Sequence, residues 1–400
     1  MMGDILFLAH RVPYPPDRGD KIRAFHLLKH LAERHRVHLV AFADGPGDTE
    51  HEAALARFAC TQSVIRRSKP QAVAAAQALL SGKPVSLTAF ADAEMRAAVD
   101  RVLAREAIDA VFVFSGQMAQ YLPAAGPPVV MDFVDMDSAK FAGYAATARG
   151  PMRWMLAREA RLLMAHEAQV AGRAHASLFV SAAEARLFEE ETGAARVAVV
   201  ENGIETGYFA PGAQFVRPSL SAASIVFTGQ MDYRPNVEGV AWFVKAVLPR
   251  IRAERGDAEF VIVGRNPGDA VRGLGKRDGV RVTGEVADVR GWLADAAVVV
   301  APLLLARGIQ NKVLEGMAMA RPVVASAAAA EGIDHRGTID VTADGEAMAA
   351  AILERLRDPA GAAALGDQAR RQVIERYGWP TAMATLDDIL APLFDVRRAA

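Results

Sequence analysis

Short runs of consecutive apolar residues, bounded by turn residues and separated by segments of helical period, recur along this chain of 400 residues. They occupy positions 5–9, 37–42, 110–114, 129–133, 178–180 and 197–200, and then 224–228, 260–263, 280–283, 297–301 and 322–325. A strand with one face in water alternates apolar and polar side chains, whereas an unbroken apolar run suits a strand covered on both faces. Such strands alternating with helices build parallel sheets clad by helices, so the chain reads as α/β. The first run leads through the Pro/Gly-rich loop 11–19 into a helix with Ile22, Phe25, Leu28 and Leu31 at helical spacing, the usual opening of a doubly wound sheet.

A single core stops growing beyond about 250–300 residues, so this length predicts two domains. Positions 208–223 gather Pro, Gly and Ser without a period and read as a connection. The expected division is a Rossmann-like domain over 1–210, a linker over 211–223 and a second Rossmann-like domain over 224–378. The last segment, 379–400, is a helix that could cross back to the first domain.

Composition excludes several function classes. With a net charge of −1 and 23% charged residues the chain lacks the basic excess of a nucleic-acid binder, so no nucleic-acid partner is expected. The single cysteine, Cys60, rules out an internal disulfide and reads as a small buried filler in a reducing compartment. The start, MMGDILFLAHRVPYPP, lacks a basic leader and reads as a buried strand, and no run approaches the roughly 20 apolar residues of a membrane span. A cytoplasmic location is expected, and the helical stretch 149–173, with Arg149, Arg153, Arg158 and Arg161 among Trp154, Met155 and Leu156, leaves peripheral contact with the inner membrane open beside ordinary core packing. The nine histidines form no HxxH or HxH pair on a plausible metal face, so no metal is expected.

Open α/β sheets bind ligands beyond the carboxyl ends of their strands, which directs attention to the loops there. After the run ending at Ala301 comes PLLLARGIQNKVLEGMA, in which a loop containing Gly308 enters a helix near Asn311. Free N–H groups and the helix dipole make such a start an anion site. Lys312 and Glu315, one turn apart, share a face there. One reading gives Lys312 a diphosphate and Glu315 the ribose hydroxyls, each charge-assisted bond contributing about 1.5–3 kcal/mol. The plainer one is an exposed ion pair of about 0.2–0.5 kcal/mol. The place in the fold favours the first, and only 8 of the 46 basic residues are Lys.

Three further loops carry candidates. TGQMDYRPN at 228–236 offers Gly229 for close backbone approach and Arg234 for a phosphate, or a capping turn with a solvated arginine. In the loop 11–23, Gly19 opens a helix that could also face a diphosphate. MDFVDMD at 131–137 supplies Asp132, Asp135 and Asp137, able to orient an acceptor hydroxyl, to act as a base or to cap the next segment, with Asp135 and Asp137 on one face and Asp132 on the other.

Taken together, AHRVPYPPDRGDKIRAFHLLKHLA, DFVDMDSAKF, FVSAAEARLF, VVENGIETGYFAP, FTGQMDYRPNVEGVAWF and PLLLARGIQNKVLEGMAMARPVVAS resemble the retaining glycosyltransferases of family 4, and among them the bacterial sugar transferases associated with exosortase and exopolysaccharide clusters. The resemblance implies a GT-B architecture, with two Rossmann-like domains facing an active-site cleft and no required metal or cofactor. A nucleotide-diphosphate sugar would be the co-substrate, and a glycan or lipid-linked molecule the acceptor. Glu315 matches the acidic residue that holds the ribose, Lys312 supports the diphosphate, and Gly308 with its neighbours Ile309, Gln310 and Asn311 lies along sugar and phosphate. The loop Gly284-Glu285-Val286 resembles the one that recognises the base, Asp135 and Arg234 stand as catalytic candidates, and His10 with Asp132 and Asp137 lies on the acceptor side. Three positions depart from the family pattern: Arg307 replaces a glutamate that binds donor sugar, Gln230 replaces a basic residue, and Asp20 follows Gly19 where a second glycine is common, which needs Lys21 or Arg23 as compensation. These departures keep two other readings in view, a catalytically silent nucleotide-binding subunit and a GT-B sugar-nucleotide epimerase.

Overall fold

The computed structural model describes residues 3–16, 18–306 and 309–395. They form two compact units, Met1–Asn202 with Ala382–Ala400, and Gly203–Thr381.

The first unit is built on a seven-stranded parallel sheet, β1 (Asp4–Ala9), β2 (Arg36–Ala43), β3 (Thr61–Arg66), β4 (Ala110–Phe114), β5 (Val129–Val134), β6 (Ala176–Phe179) and β7 (Val197–Val199), in the order β3-β2-β1-β4-β5-β6-β7. The apolar runs are its central strands: β4 is buried at every position and β1 at all but its first. The order reverses between β1 and β4, where Ala9 lies beside Phe114. Strand β3, TQSVIR, has no counterpart among the apolar runs because it lies on the sheet edge and buries Ile65 alone. Cys60, at its entrance, is exposed rather than a buried filler.

Helix Gly19–Ala32 buries Lys21, Arg23, Ala24, His26, Leu27, Leu28 and Leu31, so Leu28 and Leu31 lie inward as expected, while the first half of the stripe is displaced from Ile22 and Phe25 and takes in two cations. The displacement has a physical cause. Arg23 is 1% exposed, donates to Asp132 at 2.8 Å, and also reaches the Val200 carbonyl at 2.7 Å and Asn202 at 3.0 Å. Burying such a pair is tolerable only when both partners and their remaining donors are largely satisfied.

The second unit carries a six-stranded parallel sheet, β8 (Ser224–Thr228), β9 (Glu259–Val263), β10 (Val280–Gly284), β11 (Val298–Ala301), β12 (Val323–Ser326) and β13 (Asp340–Thr342), in the order β10-β9-β8-β11-β12-β13. Here the reversal falls between β8 and β11. The stretch read as a linker lies against this unit: Phe215 and Leu220 pack on its core, Arg217 meets Asp295 at 3.1 Å, and a Cβ added to Gly291 would stand 1.9 Å from the Val216 carbonyl. The division between units accordingly falls at Asn202/Gly203. Helix Trp379–Asp395 passes from the second unit into the first, where Asp387 meets His30 at 2.7 Å and Phe394 stacks on His35 at 4.2 Å. No described helix is long and apolar enough to cross a membrane.

Candidate functional site

In the second unit the chemistry converges on the reversal between β8 and β11. Beyond Ala301 the chain turns through Pro302 and Leu303 and enters helix Asn311–Ala318, whose N-cap residue, Gln310, makes no side-chain capping bond. The inward face is apolar, with Val313, Leu314 and Met317 in the core, which fixes the helix start against the strand ends. Ser326 donates to the Leu303 carbonyl at 2.6 Å and pins the loop from β12. Backbone N–H groups at such a start point outward with the positive end of the helix dipole.

Lys312 extends its ammonium to 5.6 Å from the Phe227 ring at the end of β8, which brings the helix start and the first strand of the sheet to one place. Burial lowers its pKa, partly offset by the charge of Glu315. Glu315 is half-buried by surface area, yet so closely surrounded that burial pushes its carboxyl up to about 7, with only Lys312 pulling it down. Neither has a hydrogen bond or ion pair of its own among the described residues. Two facing, desolvated groups of opposite charge without satisfied partners describe a site that waits for a ligand better than a surface salt bridge.

The neighbouring loops close in tightly. The Gly229 amide donates to the Val263 carbonyl at 3.0 Å, so its value lies in close approach and not in a free N–H. A Cβ added to Gly264 would fall 1.6 Å from the Gly229 carbonyl, so only glycine fits where the β8 and β9 loops meet. Gly284 ends β10 with φ of 73°, and Val286 beyond it packs on the core. Ile309 also packs there, while Gln310 and Asn311 stand at the helix start. Arg307 and Gly308 lie outside the described residues.

Arg234 does not turn toward this place. Its side chain is 86% exposed and pairs with Glu238 at 2.7 Å, an i,i+4 contact along its own helix. The cation that approaches Gln230 is Arg265 from the β9 loop, at 3.5 Å. Tyr208 is a second residue that pattern reading passes over. Its ring lies 3.8 Å from the Arg290 guanidinium, and burial first, then the carboxylates of Asp288 and Glu315, raise its pKa, which places it near the Lys312–Glu315 pair. Arg370 ties the segment down by donating to the Phe209 carbonyl at 2.8 Å and to the Ala318 carbonyl. The sequence signal was an aromatic at the start of a stretch that looked like linker.

In the first unit the expected residues occupy the carboxyl ends of β1 and β5. His10 follows β1, stacks on Phe114 at 5.6 Å and faces Asp20 at 3.4 Å, and its buried Nδ1 has no hydrogen-bond partner among the described residues. Gly19 is exposed at the helix start, with open space where a Cβ would stand. Burial raises the pKa of Asp20, but the bond to His10 and the charges of Arg11 and Arg18 outweigh it and hold the carboxylate ionised. The compensation expected from Lys21 or Arg23 is therefore supplied by other residues, because Lys21 pairs with Asp48 at 2.8 Å and Arg23 with Asp132. Asp132 is fully buried in that pair and faces no open surface. Asp135 and Asp137 share Lys140, at 2.8 and 3.4 Å, and Gln117 donates to Asp137 at 3.0 Å. Among the described residues one group has metal-ligand composition, Asp4, His38 and Glu106, at the opposite end of β1 and β2, where Arg36 approaches both carboxylates at 3.5 and 4.0 Å.

Residues 19–208 match the family described as Glycosyltransferase Family 4, and residues 222–358 match Glycosyl transferases group 1. Solved structures of the same fold include the Anabaena protein HepE in complex with UDP, 16% identical with a TM-score of 0.64 over 98% of this chain and 100% of that one. Sucrose-phosphate synthase from Thermosynechococcus elongatus is 19% identical, with a TM-score of 0.65 over 98% and 100%. WaaG, a glycosyltransferase involved in lipopolysaccharide biosynthesis, is 16% identical, with a TM-score of 0.63 over 96% and 99%. No curated protein matches the chain. Two parallel-sheet Rossmann-like units of this kind define the GT-B fold. With both halves matched, the chain belongs among the glycosyltransferases of that fold.

Proposed function

We propose that this chain transfers a sugar from a uridine-diphosphate donor to a hydroxyl of a glycan or lipid-linked acceptor, with retention of anomeric configuration, in the making of an exopolysaccharide. The observation that carries the reading is the desolvated pair Lys312 and Glu315, without a side-chain hydrogen bond or ion pair among the described residues, at a helix start on the reversal of the second sheet. Uridine is favoured by HepE, solved with UDP and with UDP-glucose. Retention and the exopolysaccharide role rest on the motif resemblance to the exosortase-associated transferases, and the likeness to WaaG is in keeping with the latter.

In this reading the Asn311 and Lys312 amides and the Lys312 ammonium take the diphosphate, Glu315 accepts from the ribose hydroxyls, and the backbone at Gly284 and Val286 meets the base. Gly308, Ile309 and Gln310 line the sugar, and Arg307 in place of glutamate selects an anionic or differently oriented one. Arg265 is assigned the phosphate-side role beside Gln230 in place of Arg234. Asp135 and Asp137 orient the acceptor with His10, while Asp132 is a positioning residue that holds Arg23. The acceptor oxygen bonds to the anomeric carbon on the face from which the diphosphate departs. The carbon–oxygen bond to phosphate breaks with its electron pair leaving on the phosphate, and the acceptor proton passes to that leaving oxygen. Lys312 and the helix start stabilise the charge developing there, so the proposal calls on no metal or cofactor.

The test is transfer of labelled sugar from UDP-sugars to glycan and lipid-linked acceptors, with the product anomer read by NMR. A product of inverted configuration removes retention. Tight UDP binding without turnover across a broad acceptor set favours the second reading that Gln230 and the outward Arg234 support, a nucleotide-binding subunit.

A further inference from the structure

Every exposed large apolar side chain of the first unit's described residues lies on three helices. Val73, Leu79 and Leu80 are on helix Gln71–Ser81, Tyr144 is on helix Asp137–Thr147, and Met152 and Trp154 are on helix Gly150–Arg173. Leu80 is 90% exposed and Trp154 and Met152 60% each, and it is their gathering on neighbouring helices that sets them apart from apolar residues exposed singly.

The three helices are joined. Arg158 donates to the Ala78 carbonyl at 2.8 Å and to that of Lys83 at 3.2 Å, and Glu159 accepts from the Val85 and Ser86 amides at 2.7 and 2.8 Å. Trp154 is one turn before Arg158 on the same helix face. Tyr144 and Met152 flank the turn of the hairpin.

Charge completes the pattern. Neither positions 66–91 nor positions 138–158 contain an acidic residue, whereas they carry Arg66, Arg67, Lys69, Lys83, Lys140, Arg149, Arg153 and Arg158. Arg149 and Arg153, at the hairpin turn, are exposed and have no carboxylate partner among the described residues. A groove of about 590 Å³ between the hairpin helices is lined by Ala142, Ala157 and Ala160, with Arg153, Arg161 and one carboxylate, Glu191, at its edges. Exposed tryptophan, tyrosine and leucine side chains beside the two arginines of the turn suit the boundary between lipid headgroups and acyl chains, where tryptophan and tyrosine collect and arginine meets phosphate.

We propose that this face, the end of helix Gln71–Ser81 with the turn of the following hairpin, docks the protein on an anionic phospholipid bilayer. Leu80, Met152 and Trp154 enter the acyl boundary, and Arg149 and Arg153 hold lipid phosphates. The surface is distinct from the Lys312–Glu315 site, so the proposal does not depend on which donor is bound.

The experiment is sedimentation of the full chain with sucrose-loaded vesicles of equal parts phosphatidylglycerol and phosphatidylcholine, against phosphatidylcholine alone. Binding is expected to the anionic vesicles, at least tenfold weaker to the neutral ones, and reversed by 0.5 M salt. At about 1 kcal/mol per cation near the surface, Arg149→Gln and Arg153→Gln each weaken partition about fivefold. Leu80→Ser with Trp154→Ser abolishes it, and Trp154→Phe removes the blue shift of fluorescence on binding. All four side chains are exposed, and retained UDP binding in the variants shows that they are folded and that the donor site is independent. Equal binding to neutral vesicles, absence of binding, or unchanged partition of the arginine variants overturns the proposal. So does a concentration-dependent dimer broken by Leu80→Ser in the absence of vesicle binding, which would make a second copy the occupant.

Discussion

Glu315→Gln separates a ligand-binding carboxyl from a structural one, because it should stabilise the empty protein and weaken the complex. Burial places the Glu315 pKa at about 7 in the folded chain, against an ordinary 4.5. A group whose pKa is raised on folding contributes its full stability below the unfolded value and loses it as pH rises through the folded value. The penalty therefore grows from about pH 4.5 to about pH 7 and stays constant above. At 1.36 kcal/mol per unit it amounts to about 3 kcal/mol. Glutamine carries no charge, so Glu315→Gln should match the parent near pH 4.5 and melt roughly 6 to 12 °C higher at pH 8 for a unit of this size. UDP-glucose, whose phosphates do not titrate near neutrality, should bind the parent about tenfold more weakly per pH unit below 7, since the ribose hydroxyls need the ionised carboxyl. The variant should bind it weakly at every pH. Calorimetric melting and titration from pH 4.5 to 8.5 read both. A variant that melts lower than the parent at pH 8, or that binds UDP-glucose as the parent does, refutes the reasoning.

Other consequences follow from the same geometry. Lys312→Ala should cost about 1.5–3 kcal/mol of UDP affinity, roughly ten- to hundredfold, by titration calorimetry. Arg265→Ala should weaken UDP binding about tenfold or more, one charge-assisted bond, while Arg234→Ala, which loses only an exposed contact to Glu238, should leave it within about twofold. Arg23→Met strands the Asp132 carboxylate in the core and should destabilise by about 3–5 kcal/mol in urea unfolding, with Asp132→Leu added to it recovering most of the loss.

Central strands were legible because a sheet covered on both faces demands unbroken apolar runs, and β1, β4, β8 and β11 all have them. Two edge strands, β3 and β13, escaped for the opposite reason. β3 and β13 bury one residue each, and a segment such as Thr61–Arg66 is then indistinguishable from a loop. The donor-side motif was readable since local order fixes it: a strand, a loop and a helix bring Lys312 and Glu315 to the sheet reversal whatever the rest of the chain does. Long-range pairings were not readable. Nothing in one sequence tells that Arg23 is joined to Asp132 across 109 positions, that Arg11 and Arg18 rather than Lys21 neutralise Asp20, or that Tyr208 reaches the neighbourhood of Glu315. For Arg234 the unread partner was local: helical spacing offers it Glu238 one turn away, and the two are paired at the surface.

A crystal structure of the protein with UDP tests the central claim most directly. The account predicts the diphosphate within hydrogen-bonding distance of the Asn311 and Lys312 amides and the Lys312 ammonium, with the ribose hydroxyls on Glu315. UDP bound with its phosphates away from that helix start, or with Glu315 untouched, would contradict it.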